Sequence, residues 1–143
     1  MYYVITPLSS TLYFIRWQRQ AAETIRHEPD FLEDLKALLD AAETPIYFLS
    51  DLREGRIINH MTLQRLGQLT RHANWGGGAA FSEDPLTRRF MGVFARFSEP
   101  EKREDNLWKT PEEAIAYLES LCEGVSAGVD WDSVFPHSAH SGS

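Results

Sequence analysis

The chain has little cysteine, no long apolar run and no excess of basic residues. Its single cysteine, Cys122, excludes an intrachain disulfide and does not indicate a structural zinc site. Its apolar runs stay far below the ~20 residues that a transmembrane helix needs. With 14 basic and 21 acidic residues, the net charge of −7 argues against nucleic acid as the main partner. The first residues lack a positive patch followed by an apolar core, so we expect no signal peptide and a cytoplasmic location.

The motifs of common enzyme classes are missing as well. The triple glycine at 76–78 is not followed by Gly-Lys-Ser/Thr and lacks the spacing of a dinucleotide fingerprint, so we interpret it as close packing or a loop. The sequence offers no paired nucleophile and base, no carboxylate dyad and no metal-binding cluster. An enzyme would require Asp51, His60 and an arginine to converge, which the sequence does not indicate. We therefore predict a protein without catalytic activity, metal or cofactor.

What the chain does contain is a regular alternation of strand and helix patterns. Residues 2–9 and 11–17 are rich in β-branched and aromatic residues, which predicts two strands joined by a short turn. Apolar residues with a 3.6-residue period then alternate with three more strand patterns. The later strands are predicted at 45–50, 77–81 and 106–109, and the helices at 29–44, 60–73, 84–97 and 110–123. The sequence therefore predicts an α/β fold with one mixed sheet of about five strands and four helices.

Three of the predicted helices begin with recognisable capping residues. Asn59 precedes the second helix and Asp84 the third, where Pro85 suits the first helical position. Thr110 opens a Thr-Pro-Glu-Glu capping box, in which the glutamate at the third position bonds back to the backbone at the cap. These signals assign the expected helix starts to single residues.

A candidate site follows the strand at 45–50, which delivers the carboxylate of Asp51 to its C-terminal end. A polar turn follows at 53–56, and the next helix starts at Asn59-His60-Met61-Thr62. Open α/β sheets place their sites at such positions, beside the carboxyl ends of the strands. Asp51 also has a structural alternative, in which its carboxylate accepts backbone N–H bonds from the turn or the next helix.

The register of these residues resembles the SpoIIAA-like, or STAS, domain, the fold of anti-sigma factor antagonists and of small proteins described as STAS/SEC14-like. In the best-known members, an acidic or amide residue and a leucine end the strand. Six residues later comes an Asp-Ser-Ser-Gly helix start, whose second serine is phosphorylated by a partner kinase. Here Asp51-Leu52 is followed by residues 53–58 and then by 59–62. Asn59 stands for the aspartate, His60 and Met61 for the serines, and Thr62 for the glycine.

Two later groups extend the resemblance, which covers residues 2–123. Asp84-Pro85-Leu86-Thr87-Arg88 follows a strand of small residues. Thr110-Pro111-Glu112-Glu113-Ala114 follows another strand, with Tyr117-Leu118 where the broader branch often has Trp-Leu. The resemblance implies a STAS-type sandwich over residues 1–124.

The resemblance implies a non-catalytic regulatory or adaptor domain that binds a partner protein. We expect the contact surface at Asp51 and at Asn59, His60, Met61 and Thr62. Because the serines are missing, the phosphoserine switch is expected to be absent, with Thr62 or Ser50 as the nearest hydroxyls able to replace it. A homodimer is also left open.

The resemblance also implies a second function, the binding of a small apolar ligand or lipid. It predicts an apolar cavity under the helices, closed by the tail around Trp131. Residues 125–143 are mostly small and polar, so we expect a largely flexible tail, in which Trp131, Val134 and Phe135 dock on the same chain or on a partner. Deleting 125–143 would then change ligand retention and leave the fold intact.

Two further groups carry alternatives of their own. Arg88 and Arg89 form, with Arg16, a predicted anion-binding group, for which pairing with the abundant surface carboxylates is the alternative. Cys122 continues the apolar stripe of the last helix, and we interpret it as a small buried hydrophobic residue rather than a nucleophile.

Overall fold

The computed structural model describes residues 2–19, 26–27, 30–57, 59–89, 91 and 107–135. Within these residues there are six strands, β1 (Tyr2–Pro7), β2 (Leu12–Gln18), β3 (Arg26–His27), β4 (Ile46–Asp51), β5 (Trp75–Phe81) and β6 (Leu107–Trp108). The same residues form five helices, α1 (Phe31–Ala41), α2 (His60–Leu69), α3 (residues 85–89), α4 (Pro111–Leu121) and α5 (Trp131–Val134). None of these helices has the length and apolar character needed to cross a membrane.

All six described strands belong to one mixed sheet, in the order β3-β1-β2-β4-β5-β6. β1 runs antiparallel to both of its neighbours, β2 and β3, whereas β2, β4, β5 and β6 run parallel to one another. The predicted α/β class and mixed sheet are therefore confirmed. Five of the strands correspond to predicted ones, and the sixth is the two-residue β3, in a polar segment without a strand pattern.

The parallel strands follow one another across the sheet in chain order, with a helix in each connection. Such connections are right-handed in nearly all proteins, so connections that progress in one direction place their helices on one face. α1 and α2 accordingly pack on the same face, together with Met91. We call this the first face. The opposite, second face is left to the segments that follow β6, namely α4 and residues 125–135.

The first face carries an aromatic and aliphatic core. The leucines of α1 and α2 contact the sheet there, as their 3.6-residue spacing predicts. The rings of Tyr3, Trp17 and Phe31 pack against one another with centroids 4.8–5.2 Å apart, in tilted and edge-to-face arrangements. Phe48 stacks on Trp75 at 4.7 Å. The fully buried leucines of this cluster are Leu35 and Leu39.

The second face has its own core, which the C-terminal segment completes. Successive side chains of a strand point to opposite faces of the sheet. Those that point to the second face contact α4 and the segment after it. The buried members are Leu12, Phe14, Leu49, Ala79, Phe81, Ala114, Leu118 and Val125. Val129, Trp131, Val134 and Phe135 pack against them and remain partly exposed.

The described part of the C-terminal segment packs on the rest of the chain. Residues 125–135 lie on the second face of the sheet, so Trp131, Val134 and Phe135 dock on the same chain. We therefore expect deletion of 125–143 to remove side chains from the second-face core and to destabilise the fold. Trp131 also lies on the wrong face to close a cavity under α1 and α2. The expected flexibility of 136–143 concerns residues outside the described part.

Several element boundaries differ from the predicted ones for local reasons. α2 ends at Leu69 rather than at 73, because the Thr70 hydroxyl donates to the Gly67 carbonyl at 2.6 Å and competes with the helical pattern. β5 begins at Trp75, two residues before its predicted start. The predicted end of α3 near residue 97 lies outside the described residues.

The capping box at α4 is modified. Thr110 caps the helix by accepting from the Glu113 N–H at 3.2 Å. The Glu113 carboxylate accepts from the Lys109 N–H at 3.2 Å instead of from the N–H of Thr110. The helix start is therefore correctly predicted, and its reciprocal bond is displaced by one residue.

The glycines of β5 allow close packing on the second face. A Cβ atom at Gly76 would lie 2.5 Å from Cζ of Tyr47, and one at Gly77 would lie 2.6 Å from Cδ1 of Leu121. Gly77 also has a φ of +155°, which side-chain-bearing residues rarely adopt. The triple glycine is therefore part of a strand on which the Tyr47 ring lies, and the close-packing interpretation is correct.

We predict that Gly76→Ala lowers the free energy of unfolding by about 1–3 kcal/mol, because the added methyl group overpacks the site against Tyr47. Urea denaturation measures the change. In a Tyr47→Leu background the same substitution should cost clearly less, since the ring that opposes the methyl group is gone. Equal costs in the two backgrounds would show that Tyr47 is not the opposing group.

Candidate functional site

The predicted partner-binding residues lie at the start of α2 and at the carboxyl edge of the sheet. We define this edge as Asp51, the last residue of β4, with residues 52–57 that follow it, and residues 82–87 after β5. Successive strand residues point to opposite faces. Leu52 joins the core of the first face, on which α2 packs, whereas the Asp51 carboxylate is bound by an arginine that contacts the second-face rings. The structure therefore places Asp51 and the start of α2 on different faces.

Asp51 is only 4% exposed, and the turn that follows it satisfies its carboxylate. Oδ1 accepts hydrogen bonds from the backbone N–H and the Nε of Arg53, both at 3.0 Å, and Oδ2 accepts from Nη2 of Arg53 at 2.8 Å. Nε of Arg16 lies 3.9 Å from Oδ2. A nearly buried carboxylate requires such compensation. Asp51 thus has the geometry expected for a structural role, in which its carboxylate caps the turn.

Arg53 links this turn to the C-terminal segment. Its guanidinium carbon lies 5.2 Å from the ring centroid of Phe81 and 5.7 Å from that of Phe135, within the range of cation–π contacts. The hydrogen bonds to Asp51 raise the pKa of Arg53. The turn itself packs directly on β2, since a Cβ atom at Gly55 would lie 2.7 Å from the backbone nitrogen of Gln18.

The start of α2 presents three exposed residues. Asn59 caps the helix, as predicted, because its Oδ1 accepts from the N–H groups of Met61 at 2.8 Å and Thr62 at 3.2 Å. His60 is exposed, and Met61 is 57% exposed, more than any other large apolar side chain among the described residues. Thr62 is half-buried. An exposed, flexible methionine is a typical protein-contact residue.

On the first face, the two segments of the carboxyl edge meet through an ion pair. Nη1 of Arg56 lies 3.3 Å from Oδ2 of Asp84. Asp84 also caps α3, because Oδ1 accepts from the Leu86 N–H at 3.1 Å and Oδ2 accepts from the Thr87 hydroxyl at 3.2 Å. The Arg56 side chain is 14% exposed and that of Asp84 is 40% exposed. The arginine is therefore the more buried member of the pair.

A cavity of about 70 Å³ lies behind this ion pair, under the helices of the first face. Aromatic and aliphatic side chains from the sheet, α1 and α2 line most of it, and Met91 adds a thioether. Its polar side chains are those of Ser50, Arg56 and Thr87. The predicted apolar cavity under the helices is therefore present, and its polar groups lie toward the carboxyl edge.

The C-terminal segment begins with a carboxylate clamp. Glu119 of α4 accepts from the N–H of Gly124 at 2.8 Å, from the N–H of Ser126 at 2.9 Å and from the Ser126 hydroxyl. These bonds, with that of the Ser126 hydroxyl the strongest, lower the pKa of Glu119. Further along, the Phe135 ring contacts Phe14 at 5.4 Å and Phe81 at 5.8 Å between centroids.

The predicted anion-binding arginines contact different partners. Arg16 lies beside Asp51, whereas Nη2 of Arg88 donates to the Leu107 carbonyl of β6 at 3.3 Å. Arg89 is exposed. Cys122 is half-buried, and burial and this neighbouring thiol raise the pKa of Tyr47. Anion binding by Arg88 and Arg89 stays a prediction.

Sequence reasoning missed the ion pair of Arg56 and Asp84 and the clamp at Glu119. The ion pair joins residues 28 positions apart, and no local pattern marks such a pair. Glu119 is an ordinary polar residue in the pattern of the predicted helix, so only the glycine after the helix gives a signal nearby. Among the residues that the structure describes, no three His, Cys, Asp or Glu side chains are grouped to hold a metal ion.

We predict that Phe135→Ala lowers the free energy of unfolding by about 2 kcal/mol, roughly half the cost of removing a fully buried phenylalanine. The ring is half-buried against Phe14 and Phe81, which explains the partial effect. Ser133→Ala in the exposed part of α5 is the control and should change stability by less than about 0.5 kcal/mol. Similar small effects of both substitutions in urea denaturation would contradict docking of the segment.

We predict that the clamp at Glu119 makes stability depend on pH. Because the folded pKa of Glu119 is lowered, its contribution is fully present above the unfolded value of about 4.3 and is lost as the pH falls through the folded value. Below pH ~4, the protection of the Gly124 and Ser126 amides against exchange, taken relative to the intrinsic exchange rate at the same pH, should fall. Glu119→Gln should weaken this pH dependence, and Glu123→Gln should preserve it. An unchanged profile in Glu119→Gln would refute the clamp.

No protein-family model, curated protein or solved structure matches the chain.

Proposed function

We propose that this protein is a non-catalytic regulatory or adaptor domain of the STAS type, which binds a partner protein at the start of α2. The contact surface is formed by Asn59, His60, Met61 and Thr62. The observation that carries the proposal is the exposure of Met61 at 57%, next to a capped helix start beside the carboxyl edge.

The order of the elements supports the STAS type. The two antiparallel strands at the start, followed by alternating helices and parallel strands in chain order, are the arrangement that the resemblance implies. Asn59, which stands for the family's helix-start aspartate, caps α2. Asp84 and Thr110, from the two later groups, also accept bonds at helix starts.

The geometry of Asp51 narrows the proposed surface to the helix start. Its carboxylate is engaged by Arg53 and lies near Arg16, and it is almost fully buried. A partner would therefore contact Asp51 only indirectly, through Arg53, which is half exposed. Charged groups that are buried and satisfied contribute little to a new interface, whereas exposed apolar side chains contribute through burial.

Of the two hydroxyls that could replace the missing serines, Thr62 is the better placed. Ser50 lies within β4, between the paired residues Ile15 and Ala80, and lines the apolar cavity. Phosphate there would be buried among apolar groups, which is unfavourable. Thr62 lies in the first turn of α2, where the helix dipole favours negative charge.

Site-specific photocrosslinking tests the proposal. A crosslinking side chain at Met61 should capture one partner from a lysate of the protein's own source, and the purified partner should then bind the isolated chain. Met61→Glu should weaken that binding at least tenfold, because it places a charge in the apolar contact. The control is Leu121→Glu, which places the same charge at an exposed apolar residue on the second face. This variant should bind the partner as the unaltered chain does.

Capture of the same proteins from position 121, or binding that Met61→Glu leaves unchanged, would contradict the surface. The role of Thr62 is tested separately. If the Thr62→Glu variant binds the purified partner with unaltered affinity, Thr62 is not a switch, and the partner-binding proposal stands without one.

The cavity of the first face favours a second candidate function, the binding of a small apolar ligand. It is lined mainly by apolar side chains and lies next to the carboxyl edge, where ligand sites of open α/β sheets are found. The cavity volume of about 70 Å³ is far below the roughly 300–1,000 Å³ of common ligand pockets. A ligand that fits inside it therefore has to be very small.

A further inference from the structure

We propose that the cavity of the first face binds short-chain aliphatic carboxylates, with the apolar chain inside and the carboxylate on Arg56. This inference rests on the second candidate function and adds the chemical class of the ligand. It follows from the volume of the cavity, the chemistry of its walls and the position of Arg56.

The volume sets the length of the apolar chain. An engineered cavity of about 150 Å³ lined by apolar side chains accommodates benzene, which has six carbons. The present cavity has about 70 Å³ and a similarly apolar wall. About half the volume corresponds to about three carbons, which is the propyl chain of butyrate. Longer chains would require α1 or α2 to move.

The polar groups of the cavity set the nature of the ligand's head. Ser50, Arg56 and Thr87 are its polar side chains, and Arg56 is the charged one. Thr87 already donates its hydroxyl proton to Asp84. An arginine offers five N–H donors in a planar fork that matches a carboxylate in two-point geometry. An anionic head group with two oxygens therefore fits this wall better than a cation or a hydroxyl.

Asp84 is a distant partner of Arg56. Its distance to Arg56, 3.3 Å, exceeds the 2.7–2.9 Å that is usual for charge-assisted bonds. Asp84 has further hydrogen bonds from the Leu86 N–H and the Thr87 hydroxyl, which hold it at the cap of α3 whether or not it pairs with Arg56. Arg56 and Thr87 reach the cavity from the segments that follow β4 and β5, so the head group would lie at the carboxyl edge.

Titration followed by NMR tests the proposal with defined probes. Sodium butyrate should shift the signals of Leu66, Ala80 and Met91 in a saturable manner, relative to sodium chloride at equal ionic strength. Butyramide has the same chain without the charge and should bind at least tenfold more weakly, the ratio expected when a hydrogen bond to a charged group becomes a neutral one.

Four variants separate the contributions of charge and volume. Arg56→Met should weaken butyrate binding about tenfold or more, whereas Asp84→Asn should strengthen it, because the amide still caps α3 and no longer competes for the arginine. Ala80→Val adds two methyl groups to the cavity wall and should abolish binding of both probes. Arg65→Met, on the exposed side of α2, is the charge-matched control and should bind butyrate as the unaltered chain does. Thermal unfolding confirms that each variant is folded.

Other results would contradict the proposal. Equal affinities for butyrate and butyramide, or no effect of Arg56→Met, would overturn the carboxylate class and leave apolar-ligand binding in place. If neither probe gives saturable shifts, both the inference and the second candidate function fail. Partner binding at Met61 is unaffected by either result.

Discussion

The right-handed connection between parallel strands is the constraint on which the rest of this structure depends. Because β2, β4, β5 and β6 follow one another across the sheet, the connecting helices gather on the first face. An apolar sheet needs cover on both sides, so the second face has to be covered by segments that come later in the chain. α4 and residues 125–135 supply that cover. The C-terminal segment is therefore a structural part of the fold, although its composition resembles that of a tail.

The same alternation divides the carboxyl edge into two chemical environments. On the second face, Asp51 and Arg53 form a satisfied ion pair against aromatic rings, which stabilises the turn and ties it to Phe135. On the first face, Arg56 and Asp84 form a longer ion pair beside an apolar cavity. The first pair is closed and structural, whereas the arginine of the second lines the cavity. This difference is the reason to assign ligand chemistry to Arg56 and a structural role to Asp51.

Local hydrogen bonding explains which parts of the structure could be predicted from the sequence. The caps at Asn59, Asp84 and Thr110 depend on atoms two or three residues away, so their sequence signals were sufficient. The ion pair of Arg56 and Asp84 joins different connections, and its partners meet only once the sheet has formed. The face on which Trp131 and Phe135 dock depends on the handedness of the connections rather than on their own residues. The cavity is a result of how α1 and α2 pack, which periodicity does not determine.

The late position of the second-face cover has a consequence for synthesis. β5 ends at Phe81 and the docking ring is Phe135, so the ribosome has to add the intervening residues before that face can be closed. At about 5–20 residues per second this takes roughly 3–10 s. During that interval Phe14, Leu49 and Phe81 form an uncovered apolar strip on a nascent sheet. Such a strip attracts chaperones and neighbouring nascent chains, so the rate at which residues 82–135 are translated influences how much of the protein reaches the folded state.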